Sequence, residues 1–182
     1  SADVLIIGPG LGQSPWSEQL LQRGAVANKP MVLDADGLNL LASGSVVEQR
    51  NRENWVLTPH PGEAARLLGI TTAEVQYDRF AAVVALQQRY GGVVVLKGNG
   101  TLIASADQVL LSDYGNPGMA SGGMGDVLSG VIGSLMAQHM DPVSAAALGV
   151  CLHGAAADTA ADDGQVGLLA SDLMAPMRAL LG

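Results

Sequence analysis

A glycine-rich stretch with one carboxylate, NPGMASGGMGDVLSG, lies at residues 116–130, directly before a strongly apolar helical segment. Gly122, Gly123 and Gly125 leave backbone N–H groups unobstructed where the helix begins, and the aligned peptide dipoles of a helix attract phosphate to that end. Asp126, in the first turn, could orient a hydroxyl group and accept its proton. The stretch therefore predicts phosphoryl transfer to a hydroxyl, and the alternative is a glycine-rich turn in which Asp126 only caps the helix.

Two further loops suit a phosphorylated ligand. Residues 8–12, GPGLG, follow a predicted strand, and ligands of open α/β sheets bind at the carboxyl ends of the strands. Residues 97–101, KGNGT, place Lys97, one of only two lysines, at the end of a buried strand, where a cation and open backbone suit a nucleotide phosphate. Each loop also has a purely structural interpretation, a tight turn for the first and an Asn-Gly hairpin for the second.

Histidine and acidic side chains follow the other strands. In TPHPGEAARLLG, residues 58–69, two prolines fix the loop around His60, and Glu63 either favours the helix start or holds water around Mg²⁺. In LDADGLN, residues 33–39, Asp34 and Asp36 either bind a metal or belong to a turn with an Asp helix cap. The sequence has no Cys/His cluster of the kind that binds zinc.

Short apolar runs that alternate with helical patterns must position these loops. Val, Leu and Ile without polar alternation are typical of parallel strands buried on both faces, and two further strands predict an edge meander. The predicted strands span 4–8, 31–36, 55–59, 93–98, 101–106 and 108–113, and the predicted helices span 16–24, 62–68, 73–90, 126–139, 143–160 and 171–181. This alternation predicts a three-layer α/β/α sandwich with a mostly parallel sheet over residues 1–182.

Local signals predict helix ends and buried faces. Thr71 and Glu74 have the spacing of a capping box, and Gly130 and Gly133 are expected to permit close packing of their helix against a neighbour. In the predicted helix over 73–90, a stripe expected to face the core consists of Phe80, Val83, Leu86 and Tyr90.

The composition limits the possible functions. Hydrophobic residues make up 48% and charged residues 14% of the 182 residues, which is enough apolar material for a sizeable core. A net charge of −8 without a basic patch argues against nucleic-acid binding, and no uninterrupted apolar run long enough to span a bilayer is found. The single cysteine, Cys151, suits a reducing compartment, so a cytoplasmic protein is expected. The low charge content permits packed helical interfaces, and a homo-oligomer is expected.

Together these motifs resemble the ribokinase-like superfamily. Its landmarks are a T-P-N-x-x-E motif, a lysine-and-glycine hairpin and a G-x-G-D anion hole, and this chain has TPHPGE, KGNGT and GMGD in the same order. Within the superfamily the chain is most similar to the NAD(P)HX dehydratases, as GPGLG, VLDADGLNLL, TPHPGEAARLLG and GNPGMASGGMGDVLSG indicate. The sister vitamin kinases usually have Asn in place of His60, and Met124 stands where Thr or Ala is more common.

The resemblance implies the repair of NADH or NADPH that has been hydrated at C6 of the nicotinamide ring. Such an enzyme phosphorylates the C6 hydroxyl, phosphate then departs with help from the ring nitrogen, and proton loss from C5 restores the double bond. Bacterial members usually use ADP and produce AMP and phosphate, whereas eukaryotic members use ATP. Mg²⁺ is expected as a cofactor.

The resemblance also implies roles for individual residues. Asp126 would be the base toward the C6 hydroxyl, and the N–H groups of Gly123, Met124 and Gly125 would form the anion hole. The other implied contacts are with the nucleotide from Lys97, Gly98, Asn99, Gly100, Thr101 and Gly125, with the hydrated dinucleotide from Gly10, Gly12, His60 and Asp126, and with water-bound Mg²⁺ from Glu63.

Two expectations concern the whole protein, and two alternatives concern its function. The family domain ordinarily has a substantial portion before GPGLG that this chain lacks, and the domain is also found fused to an NAD(P)HX epimerase. The alternative enzyme is a ribokinase-like kinase of a vitamin precursor, against which His60 argues. The alternative that is not an enzyme is a nucleotide-binding module, which would bind nucleotide without turnover.

Overall fold

The computed structural model describes residues 2–182, and its centre is a six-stranded sheet. The strands are β1 Leu5–Ile7, β2 Met31–Leu33, β3 Trp55–Leu57, β4 Val93–Leu96, β5 Thr101–Ala104 and β6 Val109–Ser112. The helices are α1 Pro15–Val26, α2 Ala35–Ser43, α3 Pro61–Leu68, α4 Thr72–Tyr77, α5 Arg79–Tyr90, α6 Met124–Ala137, α7 Pro142–Ala160 and α8 Met174–Leu181, with 3₁₀ turns at Pro117–Met119 and Ala170–Leu173.

The strands lie in the sheet in the order in which they occur in the chain. β1 to β4 are parallel, and β4, β5 and β6 are antiparallel, so the predicted edge meander is confirmed. β2, β3 and β4 are buried on both faces, as their apolar sequences predict. The same prediction is wrong for β1, where Ile6 is 44% exposed, because β1 lies at the edge of this sheet.

Two apolar clusters cover the two faces of the sheet. Because successive side chains of a strand point to opposite faces, Leu33 and Val32 belong to different clusters. Side chains of α1, α2, α3 and α5 pack on the Leu33 face, and side chains of α6 and α7 pack on the Val32 face. The predicted three-layer α/β/α architecture is therefore confirmed.

α6 packs closely on the sheet at one glycine. A Cβ atom at Gly133 would lie 2.6 Å from Cδ1 of Ile6, so a larger residue there would require the Ile6 side chain to move. No atom lies within 4 Å of the corresponding position at Gly130. The prediction of close packing is confirmed for Gly133 and wrong for Gly130.

The predicted helix over 73–90 is two helices. α4 ends at Tyr77, and Asp78 caps α5 by accepting a hydrogen bond from the Ala81 N–H at 2.9 Å. All four members of the predicted stripe lie in α5, where Phe80 in the first turn is 54% exposed and the other three are buried, so the prediction is wrong for Phe80. The capping box that precedes the break is confirmed.

α7 is long and apolar enough to cross a membrane by length and composition, which the sequence analysis did not anticipate. Half of its most apolar 18-residue segment is buried inside the fold, and Ala145, Ala146 and Ala156 are completely covered. A helix buried in this way against α6 and the sheet has the environment of a core helix.

Candidate active site

The loops that follow β1 to β4 and the start of α6 meet on one side of the molecule. Parallel strands end at the same edge of a sheet, so these loops lie next to one another. A Cβ atom at Gly125 of α6 would lie 3.2 Å from Lys97 Nζ and 3.3 Å from Asp34 Oδ2. The structure thus brings the lysine predicted to bind nucleotide next to the predicted anion hole.

A buried ion pair forms the floor of this site. Lys97 Nζ donates a hydrogen bond to Asp34 Oδ1 at 2.8 Å and lies 3.9 Å from Glu63 Oε2, and the Asp34 and Glu63 side chains are almost fully buried. Burial raises the pKa of the Asp34 carboxyl, but the Lys97 charge and hydrogen bonds from Lys97, Ser129 and Ala35 outweigh it and hold the pKa below its ordinary value. Asp34 is therefore an ionised carboxylate that fixes the lysine in place.

The sequence left open whether the Asp34 region is a metal site or a helix cap, and the structure contains the cap. Asp34 Oδ1 accepts a hydrogen bond from the Ala35 N–H at 2.9 Å, and α2 begins there. Asp34 Oδ2 accepts from Ser129 Oγ of α6 at 2.9 Å. Asp34 therefore links α2, β4 and α6 in addition to capping α2, a connection that sequence spacing did not indicate.

His60 is the N-cap of α3. Its Nδ1 accepts hydrogen bonds from the N–H groups of Gly62 at 3.0 Å and Glu63 at 3.4 Å, while Glu63 Oε2 accepts from the His60 N–H at 2.8 Å. A neutral imidazole whose Nδ1 accepts carries its proton on Nε2. The side chain is 51% exposed, and its Nε2 lies 3.4 Å from Glu63 Oε1, so Glu63 faces both the backbone N–H and the imidazole of His60.

The start of α6 has the open N–H groups that the sequence predicted. Gly123 precedes the helix with a φ of 86°, and no side chain caps α6. The first N–H of the helix with an acceptor is that of Val127, which donates to the Gly123 carbonyl at 3.0 Å. Asp126 is exposed, and its carboxylate has no hydrogen bond or ion pair within residues 2–182. The interpretation of Asp126 as a helix cap is therefore wrong, and the residue is free to act on a ligand.

The GPGLG loop is anchored at its ends and open in its middle. A Cβ atom at Gly8 would lie 1.7 Å from the Asp34 carbonyl oxygen, so the close approach of the loop to α2 requires glycine. The Gly12 N–H donates to Asp36 Oδ2 at 2.8 Å, whereas no atom lies within 4 Å of a Cβ at Gly10. Asp36 therefore anchors the loop, and the substrate contacts of Gly10 and Gly12 stay predictions.

The hairpin between β4 and β5 contributes one residue to the buried ion pair and leaves the others outside it. Lys97 reaches Asp34, while Gly98 and Asn99 are exposed and Gly100 is half-buried. Thr101 Oγ1 donates to the Gly98 carbonyl at 3.3 Å and closes the turn. The hairpin and nucleotide-loop interpretations are compatible, because the turn presents open backbone beside a fixed cation.

Asp158 of α7, which the sequence analysis missed, holds the loop that precedes the anion hole. Its carboxylate accepts hydrogen bonds from the Gly115 N–H and from Asn116 Nδ2, both at 2.9 Å. Asn116 Oδ1 in turn accepts from the Gly118 N–H at 3.0 Å. The only signal in the sequence is an acidic residue within an otherwise apolar helix.

His153 lies buried beneath the anion hole and was also missed. It is 5% exposed, and its Nε2 has no hydrogen-bonding partner in the described part of the chain. Burial lowers the pKa of His153 to about 4, a hydrogen bond with the Met124 backbone opposes this change, and the Lys97 charge adds to it. The imidazole is therefore neutral at neutral pH, next to the first residue of α6.

The buried His153 predicts a loss of stability in mild acid. Its pKa is lower in the folded than in the unfolded chain, so unfolding takes up a proton between pH 6.5 and about 4. The free energy of unfolding is expected to fall by about 3 kcal/mol across this range because of His153. Urea unfolding of the wild type and of His153→Gln at several pH values measures the difference between them.

The control for this prediction is His139→Asn. His139 is exposed and has a φ of 66°, which Asn tolerates, so this variant should keep the wild-type pH dependence. An equally steep loss of stability in His153→Gln would contradict the assignment to His153. The Asp34 carboxyl acts in a lower range, since its depressed pKa costs stability only as the pH falls through its ordinary value of 3.8 and below.

An open surface cavity lies at the amino ends of the parallel strands, on the side of the sheet away from the candidate site. It is lined by Asn28, Gln49 and residues 51–54, which precede β2 and β3. Ligands of open α/β sheets bind at the carboxyl ends of the strands, and the predicted site residues lie at that other edge. We therefore place the candidate site around Lys97, at the carboxyl ends of the strands.

Comparison with known sequences gives one family. The profile described as NAD(P)H-hydrate dehydratase matches residues 1–178. The bifunctional NAD(P)H-hydrate repair enzyme of Coxiella burnetii is 54% identical over 183 residues, which cover 100% of this chain and 37% of the relative. The ADP-dependent (S)-NAD(P)H-hydrate dehydratase of Neisseria meningitidis is 49% identical over 151 residues, which cover 80% of this chain and 51% of the relative. The chain thus spans about a third to a half of the length of these relatives.

Comparison with solved structures agrees with the sequence comparison. The ADP/ATP-dependent NAD(P)H-hydrate dehydratase of Bacillus subtilis, co-crystallised with ATP and Mg²⁺, superposes with a TM-score of 0.86 at 34% identity. The match covers 98% of this chain and 64% of that structure. The expected ribokinase-like fold is therefore confirmed.

Proposed function

Because the chain belongs to the NAD(P)H-hydrate dehydratase family, we propose that it takes part in the ADP-dependent dehydration of (6S)-NAD(P)HX to NAD(P)H. The observation that carries this proposal is the meeting of Lys97 with the open start of α6, where Asp126 is exposed and unbonded. A fixed cation, free N–H donors and a free carboxylate are the groups that phosphoryl transfer to a hydroxyl requires.

In the proposed first step, Asp126 accepts the proton of the C6 hydroxyl group. The hydroxyl oxygen at the same time attacks the terminal phosphorus of ADP. A new bond forms between that oxygen and phosphorus, and the bond to the AMP oxygen breaks. The N–H groups of Gly123, Met124 and Gly125, together with Lys97, stabilise the negative charge on the transferring group. This step produces AMP and a phosphate ester at C6.

In the proposed second step, the C6–O bond breaks and inorganic phosphate leaves. The lone pair of the ring nitrogen assists this departure, and transfer of the C5 proton to water restores the double bond of NAD(P)H. The open start of α6 holds the departing phosphate, since the same donors that bind the transferring group bind the product anion. The net reaction converts NAD(P)HX and ADP into NAD(P)H, AMP and phosphate.

ADP is the proposed phosphoryl donor, and the hairpin 97–101 is its proposed binding loop. The Neisseria meningitidis relative is named ADP-dependent, and the Bacillus subtilis structure is named ADP/ATP-dependent, which supports a nucleotide donor. Gly98 to Thr101 present backbone at the end of β4, with Gly125 close to Lys97 on the other side. His60, Gly10 and Gly12 are the proposed contacts of the hydrated dinucleotide.

Mg²⁺ fits this site through few protein ligands. Within residues 2–182 no three His, Cys, Asp or Glu side chains converge, but two buried carboxylates, Asp34 and Glu63, face the lysine. Carboxylate oxygens suit Mg²⁺, which usually keeps several waters and binds substrate phosphates. Glu63 would therefore hold the ion through water, and the ion would neutralise phosphate charge.

We also propose two features of the assembly. The name of the Coxiella burnetii relative is bifunctional and this chain covers 37% of it, which supports a fused NAD(P)HX epimerase domain in the whole protein. Exposed Trp16 and Leu20 share one face of α1, which supports a homo-oligomer, and the single cysteine supports a cytoplasmic location. Sedimentation velocity of the chain measures the number of subunits.

The proposed activity is tested with chemically prepared NADHX. Addition of ADP or ATP separately is expected to restore NADH absorbance, with a higher rate for ADP. The same assay on a version extended at its N-terminus to the length of the Bacillus subtilis structure serves as the companion measurement. Failure of both proteins with both nucleotides would refute the dehydratase, and stable phosphorylation of a vitamin precursor would favour the kinase.

A further inference from the structure

A guanidinium group lies against the inner side of the hairpin 97–100, where backbone carbonyl groups converge. Arg79, the first residue of α5, donates to the carbonyl oxygens of Leu96 at 3.2 Å and Lys97 at 3.4 Å, and also to that of Asn99. The break at Asp78 gives α5 its own beginning, and this beginning puts the arginine under the hairpin. One side chain thus holds three carbonyl groups of the turn.

The three contacts determine where the N–H groups of the hairpin point. In a trans peptide unit the carbonyl oxygen and the following N–H point in opposite directions, and no cis peptide bond occurs in the described residues. The Lys97 N–H accordingly points away from Arg79 and donates to the Pro59 carbonyl at 2.9 Å. By the same geometry the N–H groups of Gly98 and Gly100 point away from Arg79, and neither has an acceptor within residues 2–182.

The charge of Arg79 is not neutralised by the protein. No carboxylate of the described residues forms an ion pair with it, and its Nε is buried without an acceptor. Burial lowers the pKa of Arg79, but a guanidinium remains protonated at neutral pH. A cation without a carboxylate partner, beneath two open N–H groups, favours an anion at the outer side of the turn.

Gly98 is fitted to this arrangement. Its φ is 143°, and a Cβ atom there would lie 3.0 Å from Arg79 Nη2. A side chain at position 98 would be strained and would push against the guanidinium. The close approach of Arg79 and the conformation of the turn therefore depend on each other.

We propose that Arg79 is a positioning residue of the nucleotide site: by holding three carbonyl groups, it directs the N–H groups of Gly98 and Gly100 toward the phosphates of a bound nucleoside diphosphate. This inference rests on the proposed function, since it takes the hairpin as the nucleotide loop. Arg79 acts from behind the turn, through the backbone.

The test is calorimetric titration of ADP into the wild type and three variants. Arg79→Met is expected to bind ADP about tenfold more weakly, because charge-assisted contacts to three carbonyl groups are lost. Arg79→Lys keeps the charge with fewer donors, so its Kd is expected to lie between those of Arg79→Met and the wild type. The matched control is Arg89→Met, at the other end of α5, where the arginine donates to the Leu68 carbonyl at 3.3 Å.

Kinetics with NADHX separate positioning from a general loss of structure. Arg79→Met is expected to raise the KM for ADP about tenfold while the KM for NADHX stays within about twofold of the wild type. An unchanged ADP Kd in a folded Arg79→Met protein would overturn the inference alone, as would an equal weakening by Arg89→Met. A wild-type chain that binds neither ADP nor ATP would overturn both the inference and the proposed function.

Discussion

Replacement of Asp126 by Asn is expected to lower the turnover of NAD(P)HX about a thousandfold, because the amide cannot accept the C6 hydroxyl proton. Asp126 is exposed in the first turn of α6 and has no hydrogen bond or ion pair in the described residues. The substitution should therefore leave the fold and the ADP affinity largely unchanged. Return of NADH absorbance measures turnover, and calorimetric titration measures the affinity for ADP.

Glu18→Gln is the matched control for Asp126→Asn. Glu18 is likewise an acidic residue in the first turn of a helix, α1, so the two variants lose a similar interaction with a helix dipole. The control is expected to turn over at the wild-type rate. A near-normal rate in Asp126→Asn would show that another group accepts the proton, and unfolding of that variant alone would assign Asp126 a structural role.

The second large effect is expected from Lys97→Met, which should lower the free energy of unfolding by about 3 to 5 kcal/mol at pH 7. The ammonium lies 2.8 Å from Asp34 and 3.9 Å from Glu63, so its removal leaves two buried carboxylates without their cation. Turnover with ADP should also be lost, because Lys97 lies next to Gly125. Urea unfolding measures the change in stability.

The pH dependence identifies the cause of the Lys97→Met effect. In the wild type the lowered Asp34 pKa stabilises the fold above pH 4 and ceases to do so as the carboxyl protonates. Without Lys97, burial raises the Asp34 pKa, so the variant regains stability relative to the wild type as the pH falls toward 4. Lys29→Met, at the exposed second lysine, should have no effect at either pH. A deficit in Lys97→Met that stays constant with pH would contradict the ion-pair explanation.

The fold and the location of the site followed from simple sequence features. Apolar runs without polar alternation predicted strands buried on both faces, and parallel strands bring their following loops to one edge. Lys97, Glu63 and Gly125 could therefore be assigned to one place before their contacts were known. The prediction was wrong for β1, because periodicity does not say which strand lies at an edge of the sheet.

The functional residues that sequence reasoning missed act through contacts with residues that are distant in the sequence. Asp34 was recognised only as a cap or a metal ligand, since its partners Lys97 and Ser129 are 63 and 95 residues away. Asp158 and His153 lie on one apolar helix, and the sequence does not indicate which residues they contact. Arg79 was counted inside a single long helix, because the capping role of Asp78 competes with a continuous helical pattern.

The sequential order of the sheet has a consequence for how the chain reaches its active form. Each strand pairs with a neighbour in sequence, so the loops that must close to build the sheet are short and the β4–β6 meander is the most local part. The hydrogen bond between Ser129 and Asp34 closes a loop of 95 residues, which costs more chain entropy. Assembly of the site is therefore expected late in folding, and local unfolding that detaches α6 is expected to abolish the proposed activity while the sheet stays intact.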